Sequence, residues 1–273
     1  MRPNPEPKKA FLPPVLCQLA LPRSRQEARE FMRRSGDAWL ILQAGYIDEG
    51  HGPVAQALPY GSMARLVLAY LSTQAVKLKT KEIAVGKNPS QFFDLIGVKG
   101  KDGRRYLKLA EQLKALAACR MQFGRTGVTV NPAPPISSFL HWGEGKTWPG
   151  VVTLSDEYFQ NLAERSVPLN YQALLSLSGS CLAMDIYSWL TPRLCSIRKT
   201  KPDQVHWYNL MEQFGGEYSG KNATKDFKRE FLIALEKVKD VYPAARVFPV
   251  VGGINLFSSP SPIPKKGGKP CGK

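Results

Sequence analysis

The sequence predicts an α+β, mostly helical chain with two tandem modules related by a pseudo-repeat. From Gly61 the order is a long apolar helix (MARLVLAYLSTQAV), a short strand (KEIAVG), a small helix (SQFFDLIG) and a basic amphipathic helix. From Gly179 the same order recurs as SCLAMDIYSWLTPRL, DQVHW, NLMEQFGG and a second basic helix. Helix, strand, helix, helix and two strands is the order of the winged-helix module, whose last helix can lie in a DNA major groove.

The composition supports a nucleic-acid partner. The chain has 38 Lys and Arg against 22 Asp and Glu, a formal charge of +16, and clustered cations favour phosphates through counterion release. Its 273 residues allow two domains of about 100 residues each. The cysteines lack paired short spacings, which favours a reducing, cytoplasmic compartment. No apolar run reaches the roughly 18 to 20 residues of a membrane span.

Pro-rich and polar segments suggest the domain boundaries. We expect a flexible basic N-terminal arm over residues 1–35, although Ser24 to Arg34 could form a charged helix. The first winged-helix domain is predicted over 36–166, beginning with a buried strand from Trp39 to Ala44. The second is predicted over 167–258. Residues 259–273 have too little apolar content to pack and are predicted to form a disordered basic tail.

The last helix of the first module combines an apolar side with a basic one. Residues at helical spacing predict a core face of Tyr106, Leu109, Leu113 and Leu116. The solvent side is predicted to carry Arg104, Arg105, Lys108 and Gln112. From residue 77 to 108 there are nine Lys and Arg against three acidic residues, a net charge of +6. A solvated face usually mixes its signs, so we favour a DNA-facing surface over a merely solvated one.

The last helix of the second module repeats this pattern. Its first two turns are crowded by Lys221, Asn222, Lys225, Lys228 and Arg229. Negative groups suit a helix N-terminus better than cations do, so these cations serve something other than helix stability. The N-terminal part of a recognition helix is the part that enters the groove. Three cations outside the two helices complete the predicted DNA-binding set: Lys87, Lys199 and Lys201.

Glycine-rich turns predict the wings. AARVFPV and INLFS flank Gly252-Gly253 and predict a hairpin in the second module. In the first module, residues 124–149 are either a solvated loop or a long wing whose Arg125, His141 and Lys146 touch phosphates. After this region, Ser155 is predicted to cap a helix with acidic residues in its first turn.

Four collinear blocks resemble the plasmid-encoded replication initiators of the RepA type. They are LPYGSMARLVLAYLSTQAV (58–76), VVTLSDEYFQNL (151–162), SCLAMDIYSWLTPRL (180–194) and DFKREFLIALEKVKDVYPAARV (226–247). The resemblance, over roughly residues 36 to 258, implies an initiator that binds repeated sites at its own plasmid origin and helps to recruit host replication machinery. One departure is Pro192, where the family commonly has an aromatic residue; it should stop or kink the long helix.

Enzyme functions find little support in the sequence. The run from Gly143 to Thr147 resembles the end of a P-loop, but Leu140 stands where the first glycine is needed, and Trp148-Pro149 blocks the following helix. A nicking initiator would need a pair of histidines that holds a metal ion, but the three histidines of this chain are far from one another in the sequence. We therefore predict no catalytic residue, no metal site and no cofactor.

Two function classes remain. The first is a replication initiator without catalysis of its own, which binds double-stranded plasmid origin DNA. By resemblance, its further partners are the host initiator and the replicative helicase machinery. The second is a winged-helix transcriptional regulator, a repressor, that binds an operator. Both require basic recognition helices, and the collinear blocks favour the initiator. Dimerisation through the first module, as a brake on copy number, is left open.

Overall fold

The computed structural model describes residues 9–48, 50–100, 102–125, 128–139, 148–198 and 200–263. The helices within these residues are α1 (Pro14–Gln18), α2 (Gly61–Leu78), α3 (Pro89–Leu95), α4 (Gly103–Ala118), α5 (Asp156–Glu164), α6 (Tyr171–Ser176), α7 (Cys181–Ser196), α8 (Trp207–Phe214) and α9 (Ala223–Val241).

Several small sheets accompany the helices. Their strands are β1 (Lys9–Leu12), β2 (Glu30–Ser35), β3 (Ala38–Gln43), β4 (Tyr46–Asp48), β5 (Pro53–Ala55), β6 (Glu82–Ala84), β7 (Arg120–Arg125), β8 (Val128–Ala133), β9 (Ile136–Phe139), β10 (Val151–Leu154), β11 (Val167–Asn170), β12 (Asp203–His206), β13 (Val247–Val250) and β14 (Gly253–Leu256). The fold is a mixture of helices and small sheets, which agrees with the predicted α+β class.

The pseudo-repeat of the sequence is present in the topology. The first run is α2, β6, α3, α4, β9 and β10, and the second is α7, β12, α8, α9, β13 and β14. In the first run β10 lies between β6 and β9, and in the second β14 lies between β12 and β13. In both sheets the last strand is therefore central, and all pairings are antiparallel.

The first run contains an insertion that the sequence analysis did not separate from the wing. After α4 the chain forms β7 and β8, which join β2 and β3 in a four-stranded sheet of order β2-β3-β7-β8. The predicted strand from Trp39 to Ala44 is confirmed as β3. The predicted helix from Ser24 to Arg34 is wrong, because β2 pairs with β3 through a tight turn at Gly36, whose φ of 59° suits glycine.

The predicted flexible arm over residues 1–35 is wrong for the part that the structure describes. β1 pairs with β11, and Ala10 and Leu19 are completely buried in the core. Pro14 does not break α1 but begins it, because the fixed φ of proline suits the first helical position. The segment AFLPPVLCQLAL thus contributes core. The predicted disordered tail over 259–273 is wrong at its start, because Ser259 and Ile263 are buried and the Pro260 carbonyl oxygen accepts a hydrogen bond from the Tyr242 hydroxyl. Residues 1–8 and 264–273 lie outside the described residues.

A continuous hydrophobic core joins both runs, with α2 and α7 at its centre. Pro192 lies inside α7 and does not stop it, since the helix continues to Ser196. Leu194, in the turn after the proline, is completely buried and holds that turn in place. The domain boundaries predicted at 166 and 258 stay predictions.

Candidate nucleic-acid interface

Helix α4 presents a basic N-terminal turn to solvent. The carboxylate of Asp102 caps the helix by accepting a hydrogen bond from the Arg105 backbone N–H at 2.9 Å. Leu109 and Leu113 lie in the core, as the helical spacing predicts. On the opposite side Arg104 and Lys108 are exposed. The cap and the apolar stripe therefore fix which cations face outward.

Two of the exposed residues of α4 already have partners. The Arg105 guanidinium donates to the carbonyl oxygens of Lys99 and Gly100 and lies 3.6 Å from the Asp102 carboxylate. It ties the α3–α4 turn to the helix. The Lys108 ammonium lies 5.1 Å from the centre of the Tyr60 ring, a cation–π distance. Lys108 remains exposed, whereas Arg105 must exchange contacts before it can reach a base.

The prediction that Gln112 faces solvent is wrong. Its side chain is completely buried, and its Oε1 accepts a hydrogen bond from the Tyr60 backbone N–H at 2.8 Å. Gln112 stands three residues after Leu109 and four before Leu116, which places it within the apolar stripe of the helix. The polarity of Gln112 predicts a side chain that faces solvent, although its position in the helix belongs to the buried side.

Helix α9 carries its cations on the first two turns. Phe227 and Phe231 are completely buried on the core side. Asn222, the residue before the helix, makes no capping hydrogen bond with its side chain. Lys221, Asn222 and Lys225 are all exposed. An N-cap asparagine that does not cap leaves its amide available to a partner in solvent.

The remaining cations of α9 are partly engaged. The Lys228 ammonium lies 5.6 Å from the centre of the Trp207 ring, and its side chain is half-buried. Arg229 lies 3.2 Å from Asp226 and 3.9 Å from Glu230, with 61% of its side chain exposed. Exposed pairs of this kind contribute little to stability and exchange readily for a phosphate or a base.

The predicted loop cations lie apart from the helices. Lys87 is exposed in the turn between β6 and α3, and its backbone N–H donates to Gln91. Lys201 is exposed between α7 and β12, a connection that corresponds to the one between α2 and β6 in the first run. Lys199, His141 and Lys146 lie outside the described residues. Lys87 and Lys201 therefore lie in connections that are not equivalent in the two runs.

A short segment that the sequence analysis did not single out connects the two basic helices. We call residues 22–25 the strut. The Glu217 carboxylate, between α8 and α9, accepts hydrogen bonds from the Arg23 backbone N–H at 2.8 Å and from the Ser24 backbone N–H and hydroxyl at 3.2 and 3.1 Å. At the other end of the strut, the Arg25 guanidinium lies 3.6 Å from Glu111 of α4.

The strut is also linked to α9 through Tyr218 of the α8–α9 loop. The Arg23 guanidinium donates to the Tyr218 hydroxyl at 3.2 Å, and this hydroxyl donates to Glu230 at 2.6 Å. Arg33 of β2 adds a further contact to Glu217 at 3.3 Å. Burial alone would raise the pKa of Glu217, but the Arg23 backbone N–H and the two guanidinium groups outweigh it and lower that pKa.

An ion pair joins the long helices of the two runs. Arg65 of α2 donates two hydrogen bonds to Asp185 of α7, at 2.7 and 2.8 Å, and the side chains of both are 8% exposed. The other Arg65 N–H groups donate to the carbonyl oxygens of Leu21, Pro22 and Gly61. Burial would lower the pKa of Arg65, but the Asp185 charge outweighs it and raises the pKa.

Catalysis on a metal ion or through a thiol would need a cluster of ligands or a reactive cysteine among the described residues. In them, no three His, Cys, Asp or Glu side chains come together as a metal site requires. The P-loop-like run from Gly143 to Thr147 lies outside them. Burial raises the pKa of the Cys119 thiol to about 12, so this thiol is not a nucleophile at neutral pH. None of the described helices combines the length and apolar character that crossing a membrane demands.

The same topology occurs twice in the described residues, and the third helix of each run is basic. The sequence predicts this arrangement for a DNA-binding replication protein. Residues 144–209 match the family model RepA_C, described as plasmid encoded RepA protein. This match spans the end of the first run and the start of the second, and it confirms the resemblance to the RepA type.

Among solved structures, the chain is similar to a crystal structure of selenomethionine derivatives of domain 2 and domain 3 of RctB. The sequence identity is 12% and the TM-score 0.48, over 88% of this chain and 95% of that one. None of the curated proteins matches this chain.

Proposed function

We propose that this protein initiates plasmid replication by binding repeated sites in the double-stranded DNA of its own plasmid origin, with two winged-helix modules. The observation that carries the proposal is the repeated topology, in which α4 and α9 occupy the same position and both expose cations at their N-terminal turns. The central last strand of each sheet is the arrangement that a winged helix requires. The RepA-type match supports replication as the process.

The contacts divide into those that position the protein and those that read sequence. Lys and Arg side chains on phosphates fix register, and base edges in the major groove give specificity. In α9 we assign base reading to Asn222, Lys225 and Arg229. In α4 we assign it to Arg104 and Lys108, because Arg105 holds the preceding turn and Gln112 is buried. Lys87, Lys201, Lys221 and Lys228 are assigned to phosphates.

Binding at adjacent repeats would bend or strain neighbouring A·T-rich DNA and ease strand opening without ATP hydrolysis by this protein. The bound protein then serves as a platform for the host initiator and the replicative helicase machinery in the cytoplasm. Self-association through the first module would limit copy number. A winged-helix repressor would use the same helices, but the RepA-type match favours the initiator.

The experiment distinguishes base contacts, which give sequence specificity, from phosphate contacts, which strengthen binding to any DNA. Arg229→Ala and Lys225→Ala remove exposed groups from α9 and should change stability by less than about 0.5 kcal/mol. Each should weaken binding to the origin site by roughly 1 to 3 kcal/mol and reduce the preference for it over unrelated DNA. Lys221→Ala should weaken binding to both kinds of DNA alike. Specific and nonspecific affinities are measured at one salt concentration, with thermal unfolding as the control of folding.

The comparison is decisive because all three variants remove one positive charge from the same helix end. If Arg229→Ala and Lys225→Ala keep the wild-type ratio of specific to nonspecific affinity, α9 does not contact bases. Sequence recognition is then assigned to Arg104 and Lys108 of α4. If the wild-type protein shows no preference for any duplex, the proposed function is wrong.

A further inference from the structure

The strut is anchored to α4 at one end and to the loop that precedes α9 at the other. Its Arg23 end is held by Glu217 and Tyr218 beside the start of α9, and its Arg25 end is paired with Glu111 of α4. Near its middle, the Arg23 carbonyl oxygen and the Lys108 side chain both lie close to Gly61, within 3.9 Å of where a β-carbon would stand. Helix α4 and the α8–α9 loop therefore flank one short piece of chain.

The strut is fixed in place while its outermost side chain remains free to move. Two backbone N–H groups and the Ser24 hydroxyl donate to Glu217. The Pro22 carbonyl oxygen accepts further hydrogen bonds from the Gly61 backbone N–H and from Arg65. By contrast, 70% of the Arg25 side chain is exposed, and its contact with Glu111 is a long 3.6 Å. Because the backbone is already fixed, only the Arg25 side chain has to be ordered when it binds an anion.

Resting on the proposed function, we propose that the strut forms a third DNA contact, in which Arg25 enters the minor groove between the two major-groove sites of α4 and α9. Two helices that read successive major grooves on one face of a duplex leave the intervening minor groove facing the protein midway between them. The strut joins Glu111 of α4 to Glu217 of the loop before α9. Arginine is the side chain best suited to the narrow, strongly negative minor groove of A·T-rich DNA.

Other cations of this region do not fit the role. The Arg23 guanidinium is committed to Tyr218, with 15% of the side chain exposed, and Arg33 is buried against Glu217. The Arg29 guanidinium donates to the carbonyl oxygens of Ala44 and Gly45. Arg25 is the side chain that can leave a weak partner for a phosphate or a minor-groove edge. We therefore expect A·T-rich pairs at the centre of the binding site.

The test uses the full chain and a duplex that the wild-type protein selects from a random-sequence library. Dimethyl sulfate modifies guanine N7 in the major groove and adenine N3 in the minor groove, so one reagent reports both kinds of contact. The wild-type protein should protect N7 positions in two patches and N3 positions between them. Arg25→Ala should lose the central N3 protection and keep both N7 patches. Lys237→Ala, which removes an equal charge far along α9, should keep all three.

The salt dependence gives an independent readout. A cation in the minor groove also neutralises phosphate charge, so removing it should reduce the slope of log affinity against log salt by about 0.9. Between 50 and 200 mM salt, Arg25→Ala should therefore lose roughly 3.5-fold less affinity than the wild-type protein does. Lys237→Ala should retain the wild-type slope.

The outcomes are distinguishable. If Arg25→Ala keeps the central N3 protection and the slope of Lys237→Ala, the strut is not a DNA contact, while the proposed function stands on the two N7 patches. If the wild-type protein protects no N7 position on any selected duplex, the proposed function fails and the role of the strut fails with it.

Discussion

The buried Arg65–Asp185 pair should be the most sensitive electrostatic position in the fold. Asp185→Asn preserves the shape of the side chain but leaves the Arg65 guanidinium buried without its counter-charge. In the native protein that guanidinium makes hydrogen bonds of 2.7 and 2.8 Å to the two carboxylate oxygens and uses its other N–H groups on backbone carbonyls. No solvent molecule can replace the lost charge where both side chains are 8% exposed.

Removing one partner of such a pair costs about 3 to 5 kcal/mol. For a chain of this size, 1 kcal/mol corresponds to roughly 2 to 4 °C in the midpoint of thermal unfolding, so Asp185→Asn should lower that midpoint by about 10 °C. Glu236→Gln is the matched control. It breaks the exposed pair of Glu236 with Lys239, in which 67% of the glutamate side chain is exposed, and should cost less than about 0.5 kcal/mol.

The assay is urea and thermal unfolding followed by circular dichroism at 222 nm. The double variant Arg65→Met with Asp185→Leu removes both charges and should recover most of the lost stability, because the penalty comes from the unpaired charge. The reasoning is refuted if Asp185→Asn is as stable as Glu236→Gln. It is also refuted if the double variant is no more stable than Asp185→Asn.

Three further predictions follow from the same contacts. Because the folded pKa of Glu217 is lowered, its stabilising contribution is complete above the ordinary carboxyl pKa of about 4.3 and is lost as the pH falls through the lowered value. Unfolding free energies measured from pH 7 to 2 should therefore fall less steeply in this acidic range for Glu217→Gln than for the wild-type protein. Titration of a labelled origin duplex at increasing salt should give a slope of about −0.9 per phosphate for roughly 6 to 10 phosphates, and a flat response would contradict binding by both modules. The purified protein with magnesium should neither hydrolyse ATP nor nick supercoiled origin DNA; nicking that one Tyr→Phe change abolishes would show that it is an enzyme.

Local signals in the sequence predicted most of the repeated elements. Helical spacing of apolar residues placed α2, α4, α7 and α9, and the glycine turn placed the β13–β14 hairpin. The Ser155 cap is confirmed, since its hydroxyl accepts a hydrogen bond from the Tyr158 backbone N–H at 3.2 Å. Gly97 follows the end of α3 with a φ of 70°, the left-handed conformation in which glycine commonly ends a helix. Each of these features depends on residues within one or two turns of one another.

Features that depend on distant partners were missed. The pairing of β1 with β11 joins residues 9–12 to residues 167–170, and no local pattern near the prolines indicates it. Arg23 of the strut and Glu217 are in contact although they lie 194 residues apart in the sequence, more than the length of either run. Gln112 was misplaced for the opposite reason: its position in the helix was sufficient to bury it, but its polarity suggested solvent. Burial of a polar side chain becomes predictable only when its partner, here the Tyr60 backbone N–H, is known.

The Arg65–Asp185 pair also indicates which faces of the two runs pack against each other. Arg65 is the fifth residue of α2 and Asp185 the fifth of α7, so equivalent positions of the repeat face each other. Elements related by an approximate two-fold axis meet in this way. An exact dimer of either run would place Arg65 opposite Arg65, or Asp185 opposite Asp185, and bury two like charges. Within one chain the two positions can differ, and here they carry opposite charges. The pairing of α2 with α7 is therefore selective for the two different runs, and any self-association through the first module must use another surface.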